Sequence, residues 1–163
     1  MKIAILSDTH NNLAYAQLAR KKIADAGIRT VIHCGDVIDP GIVDYFGEFR
    51  IILVYGNGDY PRELEERISW FRDDNLSSEF LELDLSGKLI YVIHGHDRRR
   101  LNSAIECGRY DYVFHGHTHQ YRDERWGRTR VINPGALGGR KLEKRSFVFL
   151  DLEADKIERV IFD

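Results

Sequence analysis

Cysteine is scarce: the 163-residue chain has two, Cys34 and Cys107, and they form no C-x-x-C pair. That argues against a disulfide scaffold and leaves both as small, reduced, buried residues of a cytoplasmic protein. No apolar run exceeds strand length, which excludes a membrane-spanning helix. The opening Met-Lys-Ile-Ala-Ile-Leu carries a charge, but its apolar part is too short for a signal peptide. Excess charge is lacking too. A formal net charge of -2 gives no global pull toward nucleic acid or membrane, so anion binding must come from a local site. Linkers, low-complexity tracts and repeats are absent. With 43% hydrophobic and 31% charged residues, the composition is that of a soluble globular protein. The length suits one domain over residues 1–163 with a substantial core.

Histidine is where the chain is rich. Tyr112–His119 reads Y-V-F-H-G-H-T-H and presents His115, His117 and His119 at the end of a buried strand. Side chains two apart in an extended chain share a side, so His117 and His119 can reach one point. Gly116 lets the backbone turn closely there.

The same device recurs along the chain. Lys2–Leu6 is a continuous apolar run, the mark of a strand covered on both faces, and it ends in Asp8 and His10. A helix follows over Leu13–Ala26, stopped by Gly27. Strand Thr30–Ile32 leads to Asp36, and a short helix runs from Pro40 to Phe46. Strand Arg50–Tyr55 leads to Asn57 and Asp59; a helix over Pro61–Trp70 and a charged loop over 72–78 follow. Phe80–Leu85 and Leu89–Ile93 form a hairpin that delivers His94 and His96. After a helix over Arg98–Cys107 comes strand Asp111–Phe114. A strand pair, 120–125 and 129–132, turns at Trp126-Gly127; Asn133-Pro134-Gly135 and Gly138-Gly139 read as a permissive loop. A last hairpin, 146–152 with 156–162, closes an α/β arrangement of two sheets with helices outside.

The strand ends together offer seven N or O donors: Asp8, His10, Asp36, Asn57, His94, His117 and His119. Singly, Asp8 reads as a helix cap and Asn57 as a turn residue; repetition at every strand end points instead to metal. Seven groups suit two divalent ions, with Asp36 the candidate bridge. Imidazole, carboxylate and amide without thiolate fit a transition metal over Ca or Mg. Manganese is the first candidate, with Ni, Co, Fe or Zn as alternatives.

Five ordered motifs, Asp8-x-His10, Gly35-Asp36, Gly56-Asn57-x-Asp59, His94-Gly95-His96 and Gly116-His117-Thr118-His119, resemble those of the calcineurin-like metallophosphoesterase superfamily. The short length and Asn133-Pro134-Gly135 resemble its small bacterial and archaeal phosphodiesterase branch. The likeness spans nearly the whole chain, from Lys2 to the last hairpin. It implies a four-layer αββα sandwich, two α/β sheets flanked by helices. It also implies one metal on Asp8, His10, Asp36 and His119, and a second on Asp36, Asn57, His94 and His117. A metal-bridging hydroxide would attack phosphorus in line in a small or nucleotide-like phosphodiester. One departure stands out: many relatives carry His after the Asn of the third motif, as acid or leaving-group support, and here it is Gly58. Asp59, as an orienting group, and His96, near the leaving group, become the candidate catalytic residues. Loss of that His favours good leaving groups, such as aryl phosphodiesters.

His33 and His115 read as core groups or supports for the ligands, and Arg98–Arg100 and Arg140–Arg145 as mostly solvated basic faces. Alternatives are a nuclease or nucleotide pyrophosphatase with the same site, and a protein-binding scaffold, as in the retromer subunit that resembles this branch. A scaffold is free to lose ligands, yet all seven are present. No stripe of charge and aromatics indicates nucleic acid. The reading leaves open whether the chain forms a homo-oligomer.

Overall fold

Alternation along the apolar strands decides the layers. In the computed structural model, which describes residues 1–162, β1 (Lys2–Leu6) turns Ala4 and Leu6 to one side and Ile3 and Ile5 to the other. β2 (Thr30–His33) and β3 (Arg50–Val54) split their side chains in the same way, so these strands are covered on both faces. They pair in parallel, with Leu6 opposite His33 and His33 opposite Leu53.

β4 (Leu76–Ser78) extends this sheet in parallel beside β3. Residues 72–78 are therefore not all loop, contrary to the expectation from sequence. Asn75 accepts from Ile51 N–H at 2.7 Å and donates to the Ile68 carbonyl at 2.8 Å, which holds the strand on the edge. Such a three-residue polar strand has no periodicity to read. On the other side β10 (Ser146–Asp151) runs antiparallel to β1 and pairs with β11 (Lys156–Ile161), giving the order β11-β10-β1-β2-β3-β4.

The second sheet contains β5 (Phe80–Leu85), β6 (Lys88–Ile93), β7 (Tyr112–Phe114), β8 (Tyr121–Trp126) and β9 (Thr129–Pro134) in the order β5-β6-β7-β9-β8. β9 runs on through Asn133 and Pro134, where the sequence suggests a loop. Ile3, Ile5, Ile32 and Ile52 meet Ile90, Val92, Phe114 and Ile132 between the sheets. Outside the first sheet, α1 (Leu13–Asp25), a 3-10 helix (Pro40–Phe46) and α2 (Pro61–Ser69) bury Ala16, Ala19, Ile23, Ile42, Phe46, Leu64 and Ile68. α3 (Arg98–Glu106) covers the second with Leu101, Ala104 and Ile105. The result is the expected two-sheet sandwich with helices on both outer faces.

Local chemistry sets the helix starts. The Asn12 side chain accepts from Tyr15 N–H, Asp97 accepts from Arg100 N–H, and Pro40 and Pro61 sit in first turns. Both cysteines are free; Cys34 is buried as expected, but Cys107 is exposed after the last turn of α3. Among the described residues no helix is long and apolar enough to cross a membrane.

Candidate metal centre

Parallel pairing brings the carboxyl ends of the strands to one edge of the sandwich, where open α/β sheets gather ligands. Backbone bonds stitch the loops there. Asp8 N–H donates to the Gly35 carbonyl at 2.9 Å, His10 N–H to the Asp36 carbonyl at 3.0 Å, and Gly116 N–H to the His94 carbonyl at 2.9 Å. Across the two sheets, His117 N–H donates to Asp8 Oδ2 at 3.0 Å and Gly138 N–H to the Asp8 carbonyl at 2.7 Å.

Each carboxylate commits one oxygen to a loop and turns the other inward. Asp8 gives Oδ2 to His117 N–H, while Oδ1 faces His119 Nε2 at 3.3 Å and His10 Nε2 at 3.8 Å. Asp36 accepts Gly58 N–H on Oδ1 at 2.9 Å; its Oδ2 is 3.5 Å from both His10 Nε2 and His94 Nε2. One carboxylate oxygen thus stands between two imidazoles from different sheets.

The imidazoles are oriented for the same interior. His94 Nδ1–H donates to the Cys34 carbonyl at 2.7 Å, and His119 Nδ1–H to the Arg140 carbonyl at 2.9 Å. With Nδ1–H committed to a carbonyl, Nε2 of each ring is the atom aimed at the cluster, a lone pair whenever the ring is neutral. Burial lowers the pKa of His94 but Asp36 and Asp8 raise it overall, and Asp8 raises that of His119, shifts that a bound cation would oppose. Buried Asp8 Oδ1 and His94 Nε2 lack a hydrogen-bond partner, a cost that folded chains seldom leave unanswered. Two sets could hold a cation, with ligand atoms mutually within 4.8 Å: Asp8, His10 and His119, and Asp8, Asp36 and His94. A divalent cation satisfies the orphaned atoms and suits this mixed nitrogen and oxygen donor set. The residues therefore fit a divalent metal ion, though the second set pairs Asp8 and Asp36 with His94 and includes neither Asn57 nor His117.

Electrostatics agree with that donor set. Burial pushes the Asp8 carboxyl up most strongly, but the imidazoles of His10 and His119 outweigh it and hold the group below the usual carboxylate range. Asp36 is likewise raised by burial and lowered overall by His94 and Gly58 N–H. Both carboxylates are anions at neutral pH.

The backbone is strained where the donors sit. Asp8, His10, Asp36, His117 and His119 have φ of 53°, 42°, 56°, 67° and 58°. Non-glycine residues in this region cost about 1–3 kcal/mol each and persist only when the surroundings over-determine them. Space is equally constrained: a Cβ on Gly139 would lie 2.5 Å from the rings of both His10 and His119, and one on Gly35 2.7 Å from His94 Nδ1.

The remaining predicted residues lie further out. His117 is exposed, its ring 5.1 Å from that of His94, and Asn57 is exposed after β3. His96 is exposed, its ring 5.6 Å from His94 and 6.3 Å from His117. Asp59 is half-buried and fully engaged: Oδ2 accepts from Asp36 N–H at 2.8 Å and Gly56 N–H at 2.7 Å, and Oδ1 from Ile38 N–H at 2.8 Å. Its carboxylate is a strut for the Asp36 loop. Asp59→Asn is expected to cost about 2–4 kcal/mol in denaturant unfolding, because an amide NH2 must face backbone donors.

Two groups, Asn133 and Arg145, have roles that sequence reasoning missed, while His33, read as a core group or support, is buried under the loops. Asn133 donates to the Gly116 carbonyl at 2.8 Å and to Thr118 Oγ1 at 3.0 Å, clamping the histidine loop. Arg145 is buried, not part of a solvated basic face, and its guanidinium donates to the carbonyls of Gly138 and Gly139. His33, beneath the loops, is pushed down to about 4 by burial. Of these, Asn133 carried a signal, its place in the Asn-Pro-Gly motif.

The His33 shift has a measurable consequence. Unfolded, the ring titrates near 6.5, so between that value and about 4 the unfolded chain binds a proton that the native chain refuses. Stability is lost as pH falls through this window, by about 3 kcal/mol in total. Urea unfolding at pH 7 and pH 4 should show a drop larger by that amount in the parent than in His33→Phe.

The model of the calcineurin-like phosphoesterase superfamily domain matches residues 1–155. Phosphodiesterase MJ0936 of Methanocaldococcus jannaschii is 32% identical across the whole of both chains. A solved structure described as a novel archaeal phosphodiesterase superposes with a TM-score of 0.94 at 33% identity, covering 99% of this chain and 100% of that one. Zinc-bound Vps29 from Entamoeba histolytica, at 21% identity, shares the fold with a TM-score of 0.71 over the full length of both. From the match over residues 1–155 and the relative identical at 32% throughout, the chain belongs to the calcineurin-like phosphoesterase superfamily.

Proposed function

We propose that this protein is a dimetal-dependent phosphodiesterase of the cytoplasm, hydrolysing small or nucleotide-like phosphodiesters within a single domain. The observation that carries the reading is Asp36 Oδ2, 3.5 Å from imidazoles of both sheets, beside the unpartnered Asp8 Oδ1 and His94 Nε2. Asp8, His10, Asp36 and His119 would hold one divalent ion, and Asp36, Asn57, His94 and His117 the other. Manganese is the first candidate. When bound, two such ions supply Lewis acidity toward phosphoryl oxygens and acidify water into the neutral range.

The chain's own residues do the positioning. Asp59 holds the amides of Asp36, Ile38 and Gly56, and so sets where the Asp36 carboxylate points. Exposed His96, close to His94 and His117, is the side chain suited to meet a leaving group or a phosphoryl oxygen. Gly58 offers only its N–H, which Asp36 already accepts, so no acid stands there and good leaving groups are favoured. The similarity to phosphodiesterase MJ0936 over the full chain supports diesters as the substrate class. Free cysteines, one of them exposed, support a reducing compartment.

The test is hydrolysis of bis(p-nitrophenyl) phosphate and p-nitrophenyl phosphate by metal-stripped protein, with Mn, Ni, Co, Zn or Mg added back. Diester turnover restored by a transition metal, above monoester turnover, is the expected result. Two ions bound per chain with no turnover of any diester would overturn the reading and favour a binding scaffold.

A further inference from the structure

We infer that His33 is a positioning residue for the metal centre, its buried imidazole fixing the Asp8–His10 loop against the loop that carries Asp36. The inference rests on the metal-dependent reading above and adds a residue that the ligand motifs do not contain.

His33 ends β2, opposite Leu6 at the end of β1, so it lies at the root of both loops. Gly35 N–H donates to its Nδ1 at 3.2 Å, and its Nε2 lies 2.7 Å from Thr9 Oγ1. Because Nδ1 accepts, Nε2 must carry the hydrogen and donate to Thr9, so one neutral tautomer serves both bonds. Thr9 is fully buried between Asp8 and His10. Gly35, with φ 94°, immediately precedes Asp36. A single ring therefore reaches the residue between two donors on one loop and the residue before a third on the other.

Something has to hold those donors, because Asp8, His10 and Asp36 all sit at positive φ. Three backbone bonds, Asp8 N–H to the Gly35 carbonyl, His10 N–H to the Asp36 carbonyl and Asn11 N–H to the Val37 carbonyl, set the distance between the loops, and Asp39 N–H donates to Asn11 Oδ1 further along. None fixes the side chain of Thr9, whose hydroxyl, fully buried, needs a partner. His33 supplies it and ties the loops together from below. The alternative is that His33 merely fills space; the two hydrogen bonds separate the readings, because Phe fills the same space without them.

The experiment measures Mn2+ binding to the metal-stripped full chain by calorimetry, with the visible spectrum of the Co2+-loaded protein as a second readout. His33→Phe and Thr9→Val should each weaken Mn2+ binding about tenfold or more, the range seen when groups behind metal ligands are removed. Both should alter the Co2+ bands. The double variant should be no worse than the weaker single one, and Thr9→Ser should recover most of the loss of Thr9→Val. Folded His33→Phe and Thr9→Val proteins that bind Mn2+ within twofold of the parent would overturn the inference. Equal losses in Thr9→Ser and Thr9→Val would do the same. If His33→Phe does not fold, the two Thr9 variants decide. A parent that binds Mn2+ but cleaves no diester sinks the proposed function while leaving this test intact; a parent that binds no metal sinks both.

Discussion

Asp36→Ala is expected to abolish metal-dependent cleavage of an aryl phosphodiester, lowering kcat/KM by on the order of a thousandfold, the scale of losing a preorganised charge at a reacting centre. Asp36 Oδ2 lies 3.5 Å from imidazoles on both sheets, so its loss leaves only Asp8, near His119 and His10, to join the two halves. It also leaves His10 and His94 facing each other without an anion between them. The fold should survive, because truncation removes one acceptor, from Gly58 N–H, worth about 1 kcal/mol. Asp36→Asn keeps a carbonyl oxygen for Gly58 and drops the charge, so it separates loop placement from electrostatics. Elemental analysis should show bound Mn falling in both variants, with Asn the milder. Activity within tenfold of the parent at full metal occupancy would refute Asp36 as the shared ligand.

Much of this arrangement was legible because it obeys short-range rules. A continuous apolar run followed by a polar residue marks a buried strand and its end, and that pattern located Asp8, Asp36 and His94 at the strand ends where they meet. Pairs two residues apart were expected to share a side, and Asp8 and His10 do converge, with His119. Yet the backbone there is left-handed rather than extended, so the convergence comes from turns that spacing does not describe. What remained illegible depends on contacts far apart in sequence. β4 exists because β3 offers a free edge. Arg145 is buried because two glycine carbonyls need donors. Asp59 read as an orienting group at the site, and only the folded loop reveals that what its oxygens hold are three backbone amides.

Gly116 shows the same division, and its replacement gives the second large effect. The sequence suggested a glycine for turning the chain. Its backbone, however, is not among the glycines at positive φ; the requirement is space. A Cβ there would overlap Ser7 Oγ and stand 2.6 Å from Asp8 Oδ2, and both residues are fully buried. Gly116→Ala should therefore destabilise the protein by about 3 kcal/mol, the upper range for overpacking a core, and displace the carboxylate that faces His119. Gly127→Ala is the control. That glycine has φ 58° with nothing within 4 Å of where a methyl would stand, so the substitution costs only conformational strain, about 1–2 kcal/mol, and metal binding stays intact. Denaturant midpoints and Mn2+ titrations on both variants check the contrast. Adding Ser7→Ala to Gly116→Ala sharpens it. Ser7 Oγ makes no well-formed hydrogen bond and gives Asp8 only minor support, so its removal relieves part of the overlap and should return part of the stability. Metal affinity should stay low, because the added methyl still presses on Asp8 Oδ2. Stability and metal binding would then part company at one residue, as they must if Gly116 serves the centre by leaving room for Asp8.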